Sequence, residues 1–177
     1  MARFRRRYRT IIRAPKKKWA TNIINFNKAT TGTATQQFAT VQLVTNSTQP
    51  SSPTPVIVKT GNFKIQGDVY VVPGTSGAQT EVSLYVVYVP EGVTMNDAAG
   101  AQNLILAHPE WIMAWKFVNA NRTTTTTPEN TETFSFTSRL KRNLNSGDSI
   151  VLLCLAMGSN LSRANFSGMA QYWTCAN

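Results

Sequence analysis

Residues 139–157 read RLKRNLNSGDSIVLLCLAM, and the order of their three parts decides the fold. A basic stretch ends at Arg142, the turn residues Asn145-Ser146-Gly147-Asp148 follow, and an unbroken apolar run then extends from Ile150 to Met157. The turn composition predicts a reversal of the chain. The apolar run is far too short to cross a bilayer and predicts a buried strand, so the hairpin-like segment from Arg139 to Met157 belongs to the core.

The same grammar continues on both sides. Upstream, Phe134 and Phe136 alternate with Ser135 and Thr137, the period-two signature of a half-buried strand. Downstream, the loop GSNLSRANFSG precedes a last strand around residues 169–175. Residues 81–89 are apolar on both faces, which predicts a strand that is either central in a covered sheet or turned toward a neighbouring subunit. Phe63, Ile65, Val69 and Val71 share one face of another strand, with Gly67 at a bulge or close packing point and a stop at Pro73-Gly74.

Ala39, Val41 and Leu43 share the face of a strand that ends in the loop NSTQPSSPTP, and a shorter strand is expected over residues 21–30. Trp111, Met113, Trp115 and Phe117 alternate with Ile112, Ala114, Lys116 and Val118, which predicts an aromatic-faced strand. One helix is expected, in MNDAAGAQNLILAH, capped by Asn96 or Asp97. About eight strands, long polar loops and almost no helix define an all-β class, a β-sandwich or jelly roll.

Charge divides the chain in two. The opening MARFRRRYRTIIRAPKKKW holds nine of the eighteen cations, Arg3, Arg5, Arg6, Arg7, Arg9, Arg13, Lys16, Lys17 and Lys18, and no carboxylate precedes Asp68. Residues 20–177 carry nine cations against eight carboxylates, a net of +1 beside +9 for the arm. Like charges at this density cannot bury enough apolar surface to offset the entropy of ordering, so residues 1–19 are expected to be a disordered arm on a single domain, residues 20–177. A polyanion would order it, because each cation that neutralises a phosphate releases condensed counterions. Phe4, Tyr8 and Trp19 among the cations suit single-stranded nucleic acid, whose exposed bases stack on aromatic faces. Alternation also puts Arg139 and Lys141 on one strand face, either as solvated cations or as a second nucleic-acid contact. A nuclear import receptor is a compatible second reader of the arm.

Catalysis has little to work with. The chain has one histidine, His108, eight scattered carboxylates and no nucleophile elbow, phosphate loop or metal-ligand cluster, so no enzyme activity, metal or cofactor is expected. His108 reads as a loop residue or a protonation-sensitive contact. Asp148 lacks the partner carboxylates of a calcium loop and reads as a turn residue. Cys154 and Cys175 lack metal-ligand spacing and read as buried thiols, and the sequons at Asn46, Asn121, Asn160 and Asn165 mark polar loops. No signal peptide fits the opening residues, so an intracellular protein is expected.

MARFRRRYR and KKKW followed by an all-β domain containing HPEWIMAW and SRLKRNLNSGDSIVLL resembles the capsid proteins of small circular single-stranded DNA viruses, the circovirus-like group. The resemblance implies an eight-stranded single jelly roll of two four-stranded sheets, a shell of sixty copies, and an arm that points inward onto a single-stranded DNA genome. It implies residence in the virion, with assembly in the host nucleus. A satellite-type RNA virus coat would share the arm, the all-β body and the shell, and no residue in the sequence discriminates DNA from RNA. A ribosomal or chromosomal protein would share the arm, but its body is usually basic as well, and this one is nearly neutral.

Overall fold

The computed structural model describes residues 19–48, 56–73, 80–119, 131–158 and 161–176. The cations from Arg3 to Lys18, the sequons at Asn121 and Asn160, and the turn at Gly74 lie outside these residues. The described chain runs β1 (Ala20–Ala29), β2 (Thr31–Gly32), β3 (Gln36–Thr45), β4 (Val58–Pro73), β5 (Thr80–Val89), α1 (Ala98–Ala107), a 3-10 turn (Pro109–Trp111), β6 (Ile112–Asn119), β7 (Thr131–Leu144), β8 (Ser149–Gly158) and β9 (Leu161–Ala176). Nine strands stand where eight were expected, and the extra one is β2, a two-residue piece paired with β3.

These strands form two antiparallel sheets, one in the order β1-β9-β4-β7 and the other β2-β3-β8-β5-β6. Their inner faces share one core. Phe63, Ile65, Val69 and Phe166 come from the first sheet and Val82, Leu84, Val86, Ile150 and Leu152 from the second. Only β2–β3 and β5–β6 are neighbours both in sequence and in a sheet, and the first strand pairs along its whole length with the last. Large aliphatic and aromatic side chains buried in this way stabilise the fold by about 1.5–3 kcal/mol each.

The apolar run in β8 has a two-sided cause. Ile150, Leu152, Cys154 and Ala156 enter the core between the sheets, while Val151, Leu153 and Leu155 pack with Val87, Val89, Ala101 and Ile105 under α1. A helix laid on the outer face thus explains why β8 from Ile150 to Met157 and β5 from Leu84 to Val89 carry apolar or aromatic side chains on both faces. They are central strands of a covered sheet. Asp97 caps α1, its carboxylate accepting from the Gly100 amide.

Gly67 marks a close approach. It pairs with Gly168, and a Cβ at Gly67 would stand 2.0 Å from the Ser167 carbonyl oxygen. Phe26 lies opposite Gly168 and Phe134 opposite Gly67, so two aromatic rings flank the pair of glycines across the sheet. Asn165, expected in a loop, lies in β9 opposite Ala29 and Tyr70, and the last strand starts well before the expected residue 169.

The NSGD turn ties loops together. Asp148 is buried and accepts hydrogen bonds from the Asn145 amide (2.8 Å), the Glu91 amide (3.1 Å) and the Tyr88 hydroxyl (2.8 Å). The Gly147 amide donates to the Asn46 carbonyl, and the Asn46 side chain donates to the carbonyls of Val56 and Leu144. Gly147 has φ +82, a left-handed conformation that glycine adopts without strain.

Candidate nucleic-acid interface

The described helix packs on the second sheet, and the chemistry on the outer face of the first concentrates at the end where β1 begins. Tyr172 points into the core, so its neighbour Trp173 faces outward, half-buried. Thr21 of β1 and Gly61 of β4 flank Trp173, and Lys141 of β7 lies beyond Gly61, so one row crosses all four strands. Trp19, the residue before β1, stands beside this row, 43% exposed.

Gly61 decides where Lys141 lies. A Cβ at position 61 would sit 2.7 Å from the Lys141 Cγ, so only a residue without a side chain lets the lysine stem lie against β4. The Lys141 ammonium accordingly reaches over the Trp19 ring, 5.7 Å from its centroid, within cation–π range.

Beside Gly61 the strand is irregular. The β4–β7 register shifts between Gly61 and Phe63, and the β4–β9 register shifts between Gly61 and Lys64. Asn62 sits in this bulge with φ +53, the one non-glycine positive φ among the described residues. Asparagine tolerates that conformation better than most residues, and bulges of this kind re-aim side chains.

Two adjoining clefts result. One, of about 270 Å³, is lined by Trp19, Gly61, Asn62, Lys141 and Trp173. The other, of about 400 Å³, is lined by Asn62, Phe63, Lys64, Thr137, Ser138, Arg139 and Trp173. Asn62 and Trp173 line both, three cations surround them, and among the described residues no carboxylate lines either.

The structure therefore brings together three residues expected to contact nucleic acid, Trp19, Arg139 and Lys141, and adds Asn62, Lys64 and Trp173. Sequence reasoning missed the last three because their proximity depends on the strand order. The dipeptide Gly61-Asn62 inside an otherwise regular strand was the available signal, since both residues favour bends and bulges.

A second cluster surrounds His108. Its ring stacks on Trp111 with centroids 3.9 Å apart, and its Nδ1 lies 3.1 Å from the Glu110 carboxylate. A hydrogen bond from its own backbone, and next the one to His108, hold the Glu110 carboxyl below the usual range. Arg142 donates to the Glu110 carbonyl and lies over the Tyr88 ring, 5.4 Å from its centroid. Burial first, and then the hydrogen bond to Asp148, push the Tyr88 phenol up to about 12. Among the described residues no three His, Cys, Asp or Glu side chains come together in a way that would hold a metal. Cys154 and Cys175 are both buried thiols, and burial pushes the Cys154 thiol up.

None of the four tryptophans is fully buried. Trp111 belongs to the 3-10 turn, not to a strand. In β6, Met113 is buried while Trp115 is 65% and Phe117 42% exposed, so the expected aromatic face looks outward. Their partners in β5 are Tyr85 and Ser83.

These features define the chain as a two-sheet all-β sandwich with a cationic, aromatic corner. No family model matches it, and no curated protein does. Among solved structures it is similar to VP2 of infectious bursal disease virus in a subviral particle, at 8% identity and a TM-score of 0.41, over 89% of this chain and 33% of that one. It is also similar to the protein of T=1 particles derived from infectious bursal virus, at 8% identity and a TM-score of 0.29, over 90% of this chain and 40% of that one. The chain spans about a third to two fifths of the length of these proteins.

Proposed function

We propose that the chain is the coat protein of a small icosahedral virus and packages single-stranded nucleic acid with residues 1–19. The observation that carries this reading is where the charge enters the fold. The run from Arg3 to Lys18 joins the domain at Trp19, and Trp19 forms one wall of a corner that bears Lys64, Arg139 and Lys141. The arm is therefore joined in sequence to the part of the body where Lys64, Arg139 and Lys141 gather, while the body as a whole is nearly neutral.

A single jelly roll fits the strand order. With β2 set aside, eight strands divide four and four between the sheets, successive strands alternate between sheets apart from β5 and β6, which α1 and the 3-10 turn connect, and the terminal strands pair. Self-association fits the exposed aromatics. Trp115 and Phe117 on β6, with Leu106 and Met157, leave apolar surface that a second copy would cover, and a closed shell multiplies each such contact by its symmetry.

The finer reading is a shell of sixty copies of a circovirus-like protein around circular single-stranded DNA, resident in the virion, with the arm read by a nuclear import receptor during assembly. Negative-stain microscopy of the purified full-length chain tests the shell. Uniform particles are expected, and only small soluble species across several salts and pH values would refute it. Affinity for unrelated single-stranded DNA oligomers, measured against salt, tests the arm. Nine engaged cations predict a log–log slope of about −6, at about −0.7 per phosphate. A salt-independent affinity, or one unchanged when Arg5, Arg6, Arg7 and Arg9 become Ala, would show that the arm is not the anchor.

A further inference from the structure

The two clefts at the root of the arm differ from an ordinary solvated basic face in three respects. Aromatic walls are present, since Trp173 is shared by both clefts and Trp19 stands 43% exposed with a lysine over its ring. The backbone is specialised: Gly61 clears the path of Lys141, and Asn62 adopts φ +53 in a bulge. Polarity is one-sided, with Lys64, Arg139 and Lys141 and, among the described residues, no carboxylate in the lining. Backbone strain of this kind collects at ligand clamps, and a bulge moves side chains off the regular pleat.

We propose that this corner is a built site for one unpaired nucleotide of a single strand. The inference rests on the packaging function proposed above and assigns the body a contact of its own. The base enters the cleft of about 270 Å³ that the indoles of Trp173 and Trp19 both line and packs against the two, a cleft the size for a single heterocycle and below that of most ligand pockets. The flanking phosphates meet Lys141 on one side and Lys64 and Arg139 in the adjoining cleft on the other. Asn62, common to both clefts, offers an amide donor and acceptor to the edge of the base. Duplex nucleic acid is a poor fit, because a paired base has no free face to offer an indole. Each arm would then be anchored at its root, with one nucleotide held in a fixed place on every subunit. Sequence preference is weak, since every base has a stacking face.

The test uses the full-length chain and oligothymidylate, followed by tryptophan fluorescence and by affinity at several salt concentrations. Binding is expected to quench emission, and Trp173→Leu and Trp19→Leu each remove part of the quench and weaken binding by about tenfold without changing the salt slope, because stacking releases no counterions. Lys141→Met keeps the stem and removes the charge, and reduces the slope by about 0.7. Trp173→Phe keeps a stacking surface and restores most of the affinity. Should Trp173→Leu fail to fold, Trp19→Leu and Lys141→Met, both at exposed side chains, carry the test alone. The arm and the cleft can fail separately. If the four-arginine variant loses affinity but keeps its quench at saturation, both stand. If it loses nothing while the tryptophan variants do, the arm reading falls and the site remains. A quench that survives in the Trp19→Leu, Trp173→Leu double variant, with affinity within twofold of the parent, overturns the site.

Discussion

Asp148→Ala should destabilise the body more than any other single carboxylate change. The side chain is buried and serves three donors, the amides of Asn145 and Glu91 and the Tyr88 hydroxyl. Hydrogen bonds to an ionised acceptor contribute about 1.5–3 kcal/mol each when they are lost inside a protein. Tyr88 is half-buried and Glu91 exposed, so water can reach two of the stranded donors, and the sum should fall to about 2–4 kcal/mol. For a chain of this length each kcal/mol moves the unfolding midpoint by about 2–4 °C, which places the variant roughly 5–15 °C below the parent. Calorimetry or thermal circular dichroism reads that shift. Asp148→Asn, which keeps one acceptor oxygen, should fall between the two. A spectrophotometric tyrosine titration supplies an independent readout, since losing the hydrogen bond to Asp148 should bring the Tyr88 phenol down from about 12. An unfolding midpoint within a degree or two of the parent, with an unmoved Tyr88 titration, would refute the account of the turn.

Three further outcomes are expected. Leu152→Ala, at a side chain with no exposure between the sheets, should cost about 2–5 kcal/mol in urea unfolding, and a loss under about 1 kcal/mol would remove β8 from the core. Deleting residues 1–18 should leave the far-ultraviolet spectrum and the unfolding midpoint unchanged and abolish packaging; an unfolded product would show that the arm is structural. The Tyr88 phenol, raised in the folded state, contributes stability that is whole below its unfolded pKa near 10 and lost as pH rises to about 12. Midpoints measured across that window should therefore fall more steeply in the parent than in Tyr88→Phe.

The sandwich was legible wherever one physical rule governs a strand. Val41 and Leu43 alternate with exposed Gln42 because one face of β3 meets the core, and the unbroken run in β8 reports burial on both faces. Alternation failed around β6, where the pairing with β5 is irregular. Trp111, Met113, Trp115 and Phe117 have the spacing of one strand face, yet the first belongs to a 3-10 turn stacked on His108, and the last two stand on the uncovered side of an edge strand. Met113 enters the core and they do not, because the β5–β6 register shifts between Val86 and Val87 and the faces of β6 exchange at that point. The register shifts at Asn62 were invisible for a related reason, since a bulge is defined by the partner strand. Trp173 and Lys141 are 32 positions apart, and only the order β9-β4-β7, with Gly61 between them, makes them neighbours.

The same strand order explains why cations can gather at this corner without cost to the fold. Gly61, Lys141 and Trp173 sit on the outer face, where charged ends reach water and only stems and rings pack. Asp148, by contrast, is the one buried carboxylate among the described residues, and it is held at the opposite kind of site, inside a turn with three donors. Binding charge and structural charge are therefore physically separate. Replacing Lys64, Arg139 or Lys141 by Met should change salt-dependent binding with little change in stability, whereas replacing Asp148 should do the reverse. If a Lys141→Met chain unfolded as readily as an Asp148→Ala chain, the outer corner would be part of the scaffold, and its cations could not be assigned to a ligand.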